Sequence, residues 1–86
     1  MTDWQLHYRV NGYELDVAFP IRRVAVEVDG WAWHQDRKAF QNDRQRQNCL
    51  VLAGWTLLRF TWYDLTYRPA QVIAEIRAAL TARVAS

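Results

Sequence analysis

Two stretches of alternating apolar and polar residues, joined by a short turn that begins at Pro20, constrain the fold of this chain more than any other feature. They span residues 14–19 and 24–29, and each has the period of two that is typical of a β-strand with one apolar face. The register that brings the apolar residues together pairs Phe19 with Val24, Val17 with Val26 and Leu15 with Val28. These stretches therefore predict an antiparallel hairpin.

The same register places two acidic side chains, Asp16 and Glu27, directly opposite each other, with Asp29 further along the same face. Like charges at opposed positions destabilise an antiparallel pair, because their Cβ atoms lie only about 4.5–5.5 Å apart. A hard divalent cation would relieve the repulsion, since magnesium takes oxygen ligands and often only one or two protein carboxylates. The alternative is a solvated face whose acids are countered by nearby arginines.

An Asn-Gly pair at residues 11–12 predicts a further hairpin ahead of this one. It follows an alternating run over residues 5–10, and both of its residues tolerate the positive φ of a type I′ turn. The three strands then form an antiparallel meander in which His7 faces Asp16. His7 is either a partner for that carboxylate or a plain surface residue.

The rest of the chain predicts a helix, a strand and a second helix. The boundaries are a polar helix from Asp36 to Ala53 with an apolar stripe of Phe40, Leu50 and Val51, a strand from Trp55 to Trp62, and a helix that opens at Pro69. The last helix would cover the apolar side of the sheet with Val72, Ile73, Ile76, Leu80 and Val84. Because a helix connects the third and fourth strands, they should be parallel, with a right-handed crossover. Arg59 would then point to the acidic face, to form a salt bridge or hold a phosphate.

Whole-chain properties predict a single domain over residues 1–86 and exclude several classes of protein. A net charge of +2 and a pI near 9.0 are compatible with a nucleic-acid partner without requiring one. The single cysteine, Cys49, excludes an internal disulfide and a cysteine-rich zinc site, and it fits a reducing compartment. With no signal peptide and no apolar run that could span a membrane, we expect a cytoplasmic protein.

Several segments in a fixed order carry a resemblance to a known family. They are Glu-Leu-Asp-Val-Ala-Phe-Pro (14–20), Val-Ala-Val-Glu-Val-Asp-Gly (24–30), Trp33-His34, the arginine-rich helix, and Gly-Trp-Thr-Leu-Leu-Arg-Phe-Thr-Trp (54–62). Over about residues 5–80 the chain resembles a bacterial domain family of unknown function, related to the very-short-patch (Vsr-like) mismatch-repair endonuclease within the PD-(D/E)xK nuclease superfamily. The resemblance implies an α/β (α+β) restriction-endonuclease-like fold and magnesium- or manganese-dependent hydrolysis of DNA.

The resemblance also implies roles for particular residues. Asp16 and Glu27 would be the two metal-binding acids, and Val28 would offer its carbonyl oxygen to the metal. Asp29 stands where the superfamily has a lysine and short-patch relatives have a histidine, and His34 matches a histidine near the scissile phosphate. Trp31 and Trp33 lie where relatives place aromatic rings against DNA, although packing under the loop is an equally weighted role. Apart from the resemblance, a basic helix beside an acidic site can bind phosphates, so Arg37 and Arg44 of the helix, together with Arg59, would offset phosphate charge. Simple solvation of an exposed helix face is an equally weighted role.

One departure from the relatives concerns the N-terminal side of the domain. The relatives usually carry a helical segment before the first hairpin, whereas only four residues precede it here. We therefore expect a fragment, a minimal active version of the domain, or a protomer that is covered by a partner. Exposed apolar sheet surface would favour a homodimer.

Three functions follow from these observations. The first is a magnesium-dependent DNA endonuclease, for which alanine at Asp16 or Glu27 should abolish cleavage and leave the melting temperature unchanged or raised. The second is a nuclease-fold module that binds nucleic acid or a protein partner with weak or absent catalysis. The third is a structural partner in a larger complex, with acids that serve only the fold.

Overall fold

A four-stranded mixed sheet forms the centre of the fold in the computed structural model, which describes residues 3–29 and 37–85. The elements are β1 (Gln5–Val10), β2 (Tyr13–Phe19), β3 (Val24–Asp29), α1 (Arg37–Leu52), β4 (Thr56–Thr61), α2 (Trp62–Tyr67) and α3 (Pro69–Ala85). The strand order is β1-β2-β3-β4, with the first three strands antiparallel and β4 parallel to β3. The predicted α+β class and topology are confirmed. In the two described ranges, no helix has both the length and the apolar character needed to cross a bilayer.

The two hairpin turns lie where the sequence predicts them. Asn11 and Gly12 have φ angles of 50° and 84°, as a type I′ turn requires. The second turn occupies residues 20–23 and ends at Arg23, whose φ is 55°. Arg23 also donates a side-chain hydrogen bond of 3.1 Å to the carbonyl oxygen of Ala53, which ties this turn to the end of α1.

The pairing of β2 with β3 is shorter than predicted. Its pairs are Phe19–Val24, Ala18–Ala25 and Val17–Val26. The predicted pairs Leu15–Val28 and Asp16–Glu27 are not among the pairs that these two described strands form. Instead, Oδ2 of Asp16 accepts a hydrogen bond of 3.0 Å from the backbone N–H of Val28. A side-chain oxygen thus takes the place of a strand carbonyl where the two strands separate.

The side of the sheet that β2 side chains face changes at Asp16, whose pair with His7 is missing from the otherwise regular register of β1 with β2. His7 has a φ of 53°, which is uncommon for a residue other than glycine, and the positions on either side of the two residues pair in regular register. As a result, Leu15 packs with Ala18 on one face, whereas Val17 packs on the other. The prediction that Leu15 and Val17 share one apolar face is wrong, because the alternation is interrupted at Asp16.

Both faces of the sheet are consequently buried, each in its own core. The core beside α3 consists of Phe19, Val24, Val26, Phe60, Val72, Ile76 and Leu80. The core on the opposite face consists of Leu15, Ala18, Ala25, Leu50 and Trp55. Of the predicted apolar residues of α3, Ile73 remains 40% exposed, and the side chain of Val84 lies outside the described residues.

Helix α1 contacts the sheet through fewer apolar side chains than predicted. Leu50 is fully buried, but Phe40 and Val51 are 51% and 53% exposed, so the predicted stripe is wrong except at Leu50. The predicted N-terminal residue of the helix, Asp36, lies outside the described residues. Polar side chains of α1 supply further contacts with the sheet, and these contacts build the site described next.

The fourth strand ends one residue earlier than predicted, because Trp62 begins α2. Oγ1 of Thr61 accepts a hydrogen bond of 3.2 Å from the N–H of Asp64, and Oδ2 of Asp64 accepts one of 3.0 Å from the N–H of Thr61. This reciprocal capping box satisfies two backbone donors and turns the chain into the helix. Its Thr-x-x-Asp spacing is a helix-start signal in the sequence that the strand prediction overlooked.

Candidate active site

Asp16 lies against the backbone of β3 at the peptide group that joins Glu27 to Val28. Its carboxylate accepts the 3.0 Å hydrogen bond from the N of Val28, which is an atom of that peptide group. Asp16 is not part of the regular pairing of β1 with β2, and His7, which would face it, has a positive φ. The two acids that the sequence predicts for the metal therefore lie on adjacent strands, with one carboxylate touching the backbone next to the other acid.

Glu27 is a buried acid, with 7% of its surface exposed, and it forms an ion pair with Arg46 of α1. Nη2 of Arg46 donates a hydrogen bond of 2.6 Å to Oε2, and Nη1 lies 2.5 Å from Oε1. The second contact is an ion pair without hydrogen-bond alignment, so the buried Oε1 has no hydrogen-bond donor within the described residues. Nη2 also donates a hydrogen bond of 3.0 Å to the carbonyl oxygen of Glu14. Hydrogen bonding to Glu27 raises the pKa of the Arg46 guanidinium.

Arg59 of β4 connects Asp29 to Asp43 of α1. Its Nη2 and Nε lie 2.8 and 3.2 Å from the two carboxylate oxygens of Asp29, and its Nη1 lies 2.7 Å from Oδ2 of Asp43. Hydrogen bonds to Asp29, and next to Asp43, raise the pKa of the Arg59 guanidinium. The predicted orientation of Arg59 toward the acidic face is therefore found, and in this structure it forms salt bridges.

The resulting cluster contains more acidic than basic groups. Four carboxylates, those of Asp16, Glu27, Asp29 and Asp43, are connected to β3 directly or through the guanidinium groups of Arg46 and Arg59. The formal charge of the cluster is therefore negative, which favours an additional cation. The cluster is an ion-pair network in which two of the acids, Glu27 and Asp29, each receive a two-point contact from an arginine.

The donor set of the site fits a magnesium ion. Asp16 and Glu27 would supply carboxylate oxygens, and the carbonyl of Val28 would supply a further oxygen; Oε1 of Glu27 has no hydrogen-bond donor in the described ranges and has the ion-pair contact with Arg46. Magnesium commonly uses only one or two protein carboxylates and keeps several waters. Among residues 3–29 and 37–85, no group of three or more His, Cys, Asp and Glu side chains is placed to hold a metal ion. The fit therefore rests on a small donor set completed by water.

The remaining predicted site residues fall into two groups. Trp31, Trp33 and His34 lie outside the described residues. Arg37 and Arg44 are exposed on α1, and the guanidinium of Arg44 lies 5.1 Å from the centroid of the Phe40 ring.

His7 is not the partner of Asp16 that the sequence suggests as one alternative. Its Nδ1 lies 3.4 Å from Oε2 of Glu14, and its side chain is largely exposed. His7, whose side chain is exposed, is also the residue of β1 with a positive φ. The surface role of His7 is therefore the one that the structure supports.

The structure adds two residues of α1, Asp43 and Arg46, that the sequence does not single out. Both contact the acids of β3 or their partners, and they precede the buried Leu50 by seven and four residues. This spacing places all three side chains on one side of a helix. The sequence signal that could have identified Asp43 and Arg46 is their helical spacing from Leu50, which is the buried residue of α1 among those described.

A comparison with protein families agrees with this architecture. The profile of REase_MTES_1575, a family of restriction-endonuclease-like domains, matches residues 2–80. The chain belongs to the REase_MTES_1575 family. Its mixed sheet, crossover helix and C-terminal helix are consistent with the restriction-endonuclease-like fold that the family name indicates. The family suggests a nuclease-type fold.

Two curated relatives of this REase_MTES_1575 domain come from Mycobacterium tuberculosis. They are the uncharacterized protein MT2308 of strain CDC 1551 / Oshkosh and the uncharacterized protein Rv2248 of strain ATCC 25618 / H37Rv. Each is 27% identical over 77 residues, which are 84% of this chain and 28% of the relative. The chain thus spans little more than a quarter of the length of these relatives. No solved structure matches it significantly.

Proposed function

We propose that this REase_MTES_1575 domain is a metal-dependent DNA endonuclease of the very-short-patch type. The observation that carries the proposal is the hydrogen bond between Asp16 and the N–H of Val28, because it holds one acid against the backbone that bears the other. Asp16, Glu27 and the carbonyl of Val28 would hold a magnesium or manganese ion. When bound, such an ion polarises a phosphodiester and lowers the pKa of a coordinated water.

The arginines of the site have a defined part in this proposal. A phosphodiester gains negative charge as it is attacked, and preorganised cations next to it lower the barrier. Arg59 is held by Asp29 and Asp43, so its guanidinium is fixed before the substrate arrives. Since the superfamily lysine is replaced by Asp29, Arg59 would supply the positive charge next to this position from β4.

DNA contacts would come from both sides of the acids. Arg37 and Arg44 are exposed on α1 and would contact phosphates of the backbone. Trp31 and Trp33 would stack against bases, and His34 would act as general acid or base near the scissile phosphate. These three roles rest on the family resemblance. Action on DNA also agrees with the proposed cytoplasmic location.

The test is cleavage of supercoiled plasmid by the wild type and by Asp16→Asn, each with magnesium, with manganese or with EDTA. We expect nicked or linear product with either metal, none in EDTA, and none from Asp16→Asn. Asn keeps an oxygen that can accept the hydrogen bond from Val28, so the variant tests the charge with little change of structure. Glu75→Gln, at an exposed acid of α3, is the matched control and should cleave like the wild type. Cleavage by Asp16→Asn at the wild-type rate would exclude Asp16 as a metal ligand.

A second candidate function is a module of the same fold that binds nucleic acid without cutting it. The observation that favours it is the ion pair that holds Glu27, since both of its carboxylate oxygens lie against the guanidinium of Arg46. This function predicts DNA binding that persists in EDTA and no nicking with either metal. An electrophoretic mobility shift assay beside the plasmid assay separates the two.

A further inference from the structure

The ion pair between Glu27 and Arg46 has a consequence for any cation that uses Glu27. Both oxygens of this buried carboxylate lie within 2.6 Å of the two terminal nitrogens of Arg46. A divalent cation on the same oxygens would lie within a few ångströms of the guanidinium, where two positive charges repel strongly at low dielectric. Glu27 therefore cannot serve a metal fully while Arg46 keeps this two-point contact.

A phosphate group is a second partner that the Arg46 side chain can bind. A guanidinium matches the geometry of a phosphate as well as that of a carboxylate, because both present two oxygens to its planar fork. A phosphodiester brought to the acids would lie directly beside Glu27, within the reach of the Arg46 side chain. The second anchor of Arg46, the carbonyl oxygen of Glu14, can hold its Nη2 while Nη1 changes partner.

We propose that Arg46 is an exchange residue: it holds Glu27 in the free protein and moves to the phosphate of DNA when a metal takes Glu27. The inference rests on the proposed function, since it requires Glu27 to be a metal ligand. Arg46 lowers the affinity of the free protein for metal and raises the affinity of the metal-loaded protein for DNA. Metal and DNA then bind with positive coupling, so metal binds well only where substrate is present.

Arg46 differs in this respect from Arg59. Arg59 contacts Asp29 and Asp43, so displacement from one carboxylate leaves it held by the other. Arg46 forms its ion pair with Glu27, and its Nη2 also donates to a neutral carbonyl oxygen, that of Glu14. Of the two guanidinium groups, Arg46 is therefore the one whose release follows directly from occupation of Glu27.

The test measures manganese binding to the full chain without DNA, by the electron spin resonance signal of free Mn²⁺. The variants are Arg46→Gln, Glu27→Gln and, as matched control, Arg77→Gln at an exposed arginine of α3. We expect Arg46→Gln to bind Mn²⁺ about tenfold or more tightly than the wild type, as loss of one charged hydrogen-bonded contact implies. Arg77→Gln should equal the wild type, and Glu27→Gln should lose binding.

A second measurement uses the fluorescence anisotropy of a nuclease-resistant phosphorothioate duplex. With Mn²⁺ present, Arg46→Gln should bind this DNA about tenfold more weakly than Arg77→Gln, and in EDTA the two should be alike. An arginine that serves only the fold would lower the thermal stability and leave both affinities unchanged. If Arg46→Gln does not fold, Arg46→Lys replaces it, because lysine keeps the charge but loses the fork, and its Mn²⁺ affinity should still exceed that of the wild type.

The outcomes separate the inference from the function on which it rests. If the wild type binds Mn²⁺ and Glu27→Gln does not, while Arg46→Gln equals Arg77→Gln, the exchange is overturned and the metal site stands. If neither the wild type nor Arg46→Gln binds Mn²⁺, the metal site and the exchange both fail. Tighter binding by Arg46→Gln that disappears in the double variant with Glu27→Gln supports both.

Discussion

The carboxylate of Asp16 accepts a hydrogen bond of 3.0 Å from the backbone N–H of Val28, at the point where β2 and β3 have ceased to pair. This contact serves the sheet and the proposed site at once. It satisfies a backbone donor that strand pairing leaves without a carbonyl, and it holds an acid next to Glu27. We therefore expect Asp16 to affect stability as well as the proposed activity, and its variants separate the two effects.

Asp16→Ala should lower the free energy of unfolding by about 1–3 kcal/mol, because it leaves the N–H of Val28 without its acceptor in a partly buried position. Asp16→Asn should lower it less, since the amide oxygen can still accept that hydrogen bond. Urea denaturation followed by tryptophan fluorescence measures both. Equal losses for the two variants would show that the charge, and not the hydrogen bond, stabilises this part of the sheet.

Glu27→Ala should lower the free energy of unfolding by about 3–5 kcal/mol, because it leaves the largely buried guanidinium of Arg46 without its carboxylate. This reverses the expectation from sequence that the melting temperature would be unchanged or raised. The double variant Glu27→Met, Arg46→Met should recover most of the loss, since apolar residues of similar volume can replace a buried ion pair. Urea denaturation measures the recovery. A double variant no more stable than Glu27→Ala would contradict the assignment of the loss to the unpaired arginine.

Arg59→Lys should lower the free energy of unfolding by about 1–3 kcal/mol near neutral pH, because an ammonium cannot reproduce the fork that holds Asp29 while also reaching Asp43. The folded-state pKa of Arg59 is raised, so its contribution is present at every pH below the unfolded-state pKa and is lost only at still higher pH. The deficit of the lysine variant should therefore widen as the pH approaches about 10.4, where lysine loses its charge. Thermal unfolding of both proteins between neutral and alkaline pH measures it, and a constant deficit would count against a charge-based role.

Thr61→Ala should lower the free energy of unfolding by about 1 kcal/mol, because the N-cap hydroxyl that accepts the N–H of Asp64 is removed. Thr61→Ser keeps this acceptor and should stay close to the wild type. The comparison by chemical denaturation isolates the cap from the strand position, since both variants remove the β-branched methyl group. Equal stability of the two variants would mean that α2 forms without its capping box.

Local chemistry determined a large part of this fold. The Asn11-Gly12 turn, the Pro20 turn and the start of α3 at Pro69 were all predicted, because each depends on the backbone preferences of the residues at that position. The parallel placement of β4 also followed, since a helix that crosses from the end of one strand to the start of the next lets both strands run in the same direction. The start of α2 could also have been predicted, because its Thr-x-x-Asp capping signal is local in the sequence.

Only the tertiary structure decided which side of the sheet each residue of β2 faces and which arginine meets which acid. Alternation predicts faces only while the strand pairing stays regular, and it is interrupted at His7 and Asp16, so Leu15 packs in the opposite core from Val17. The choice of Arg46 for Glu27 depends on how α1 is rotated against the sheet, and several arginines of that helix were equally plausible from sequence. Ion pairs form between groups that are close in space, and Glu27 and Arg46 are 19 positions apart in the chain.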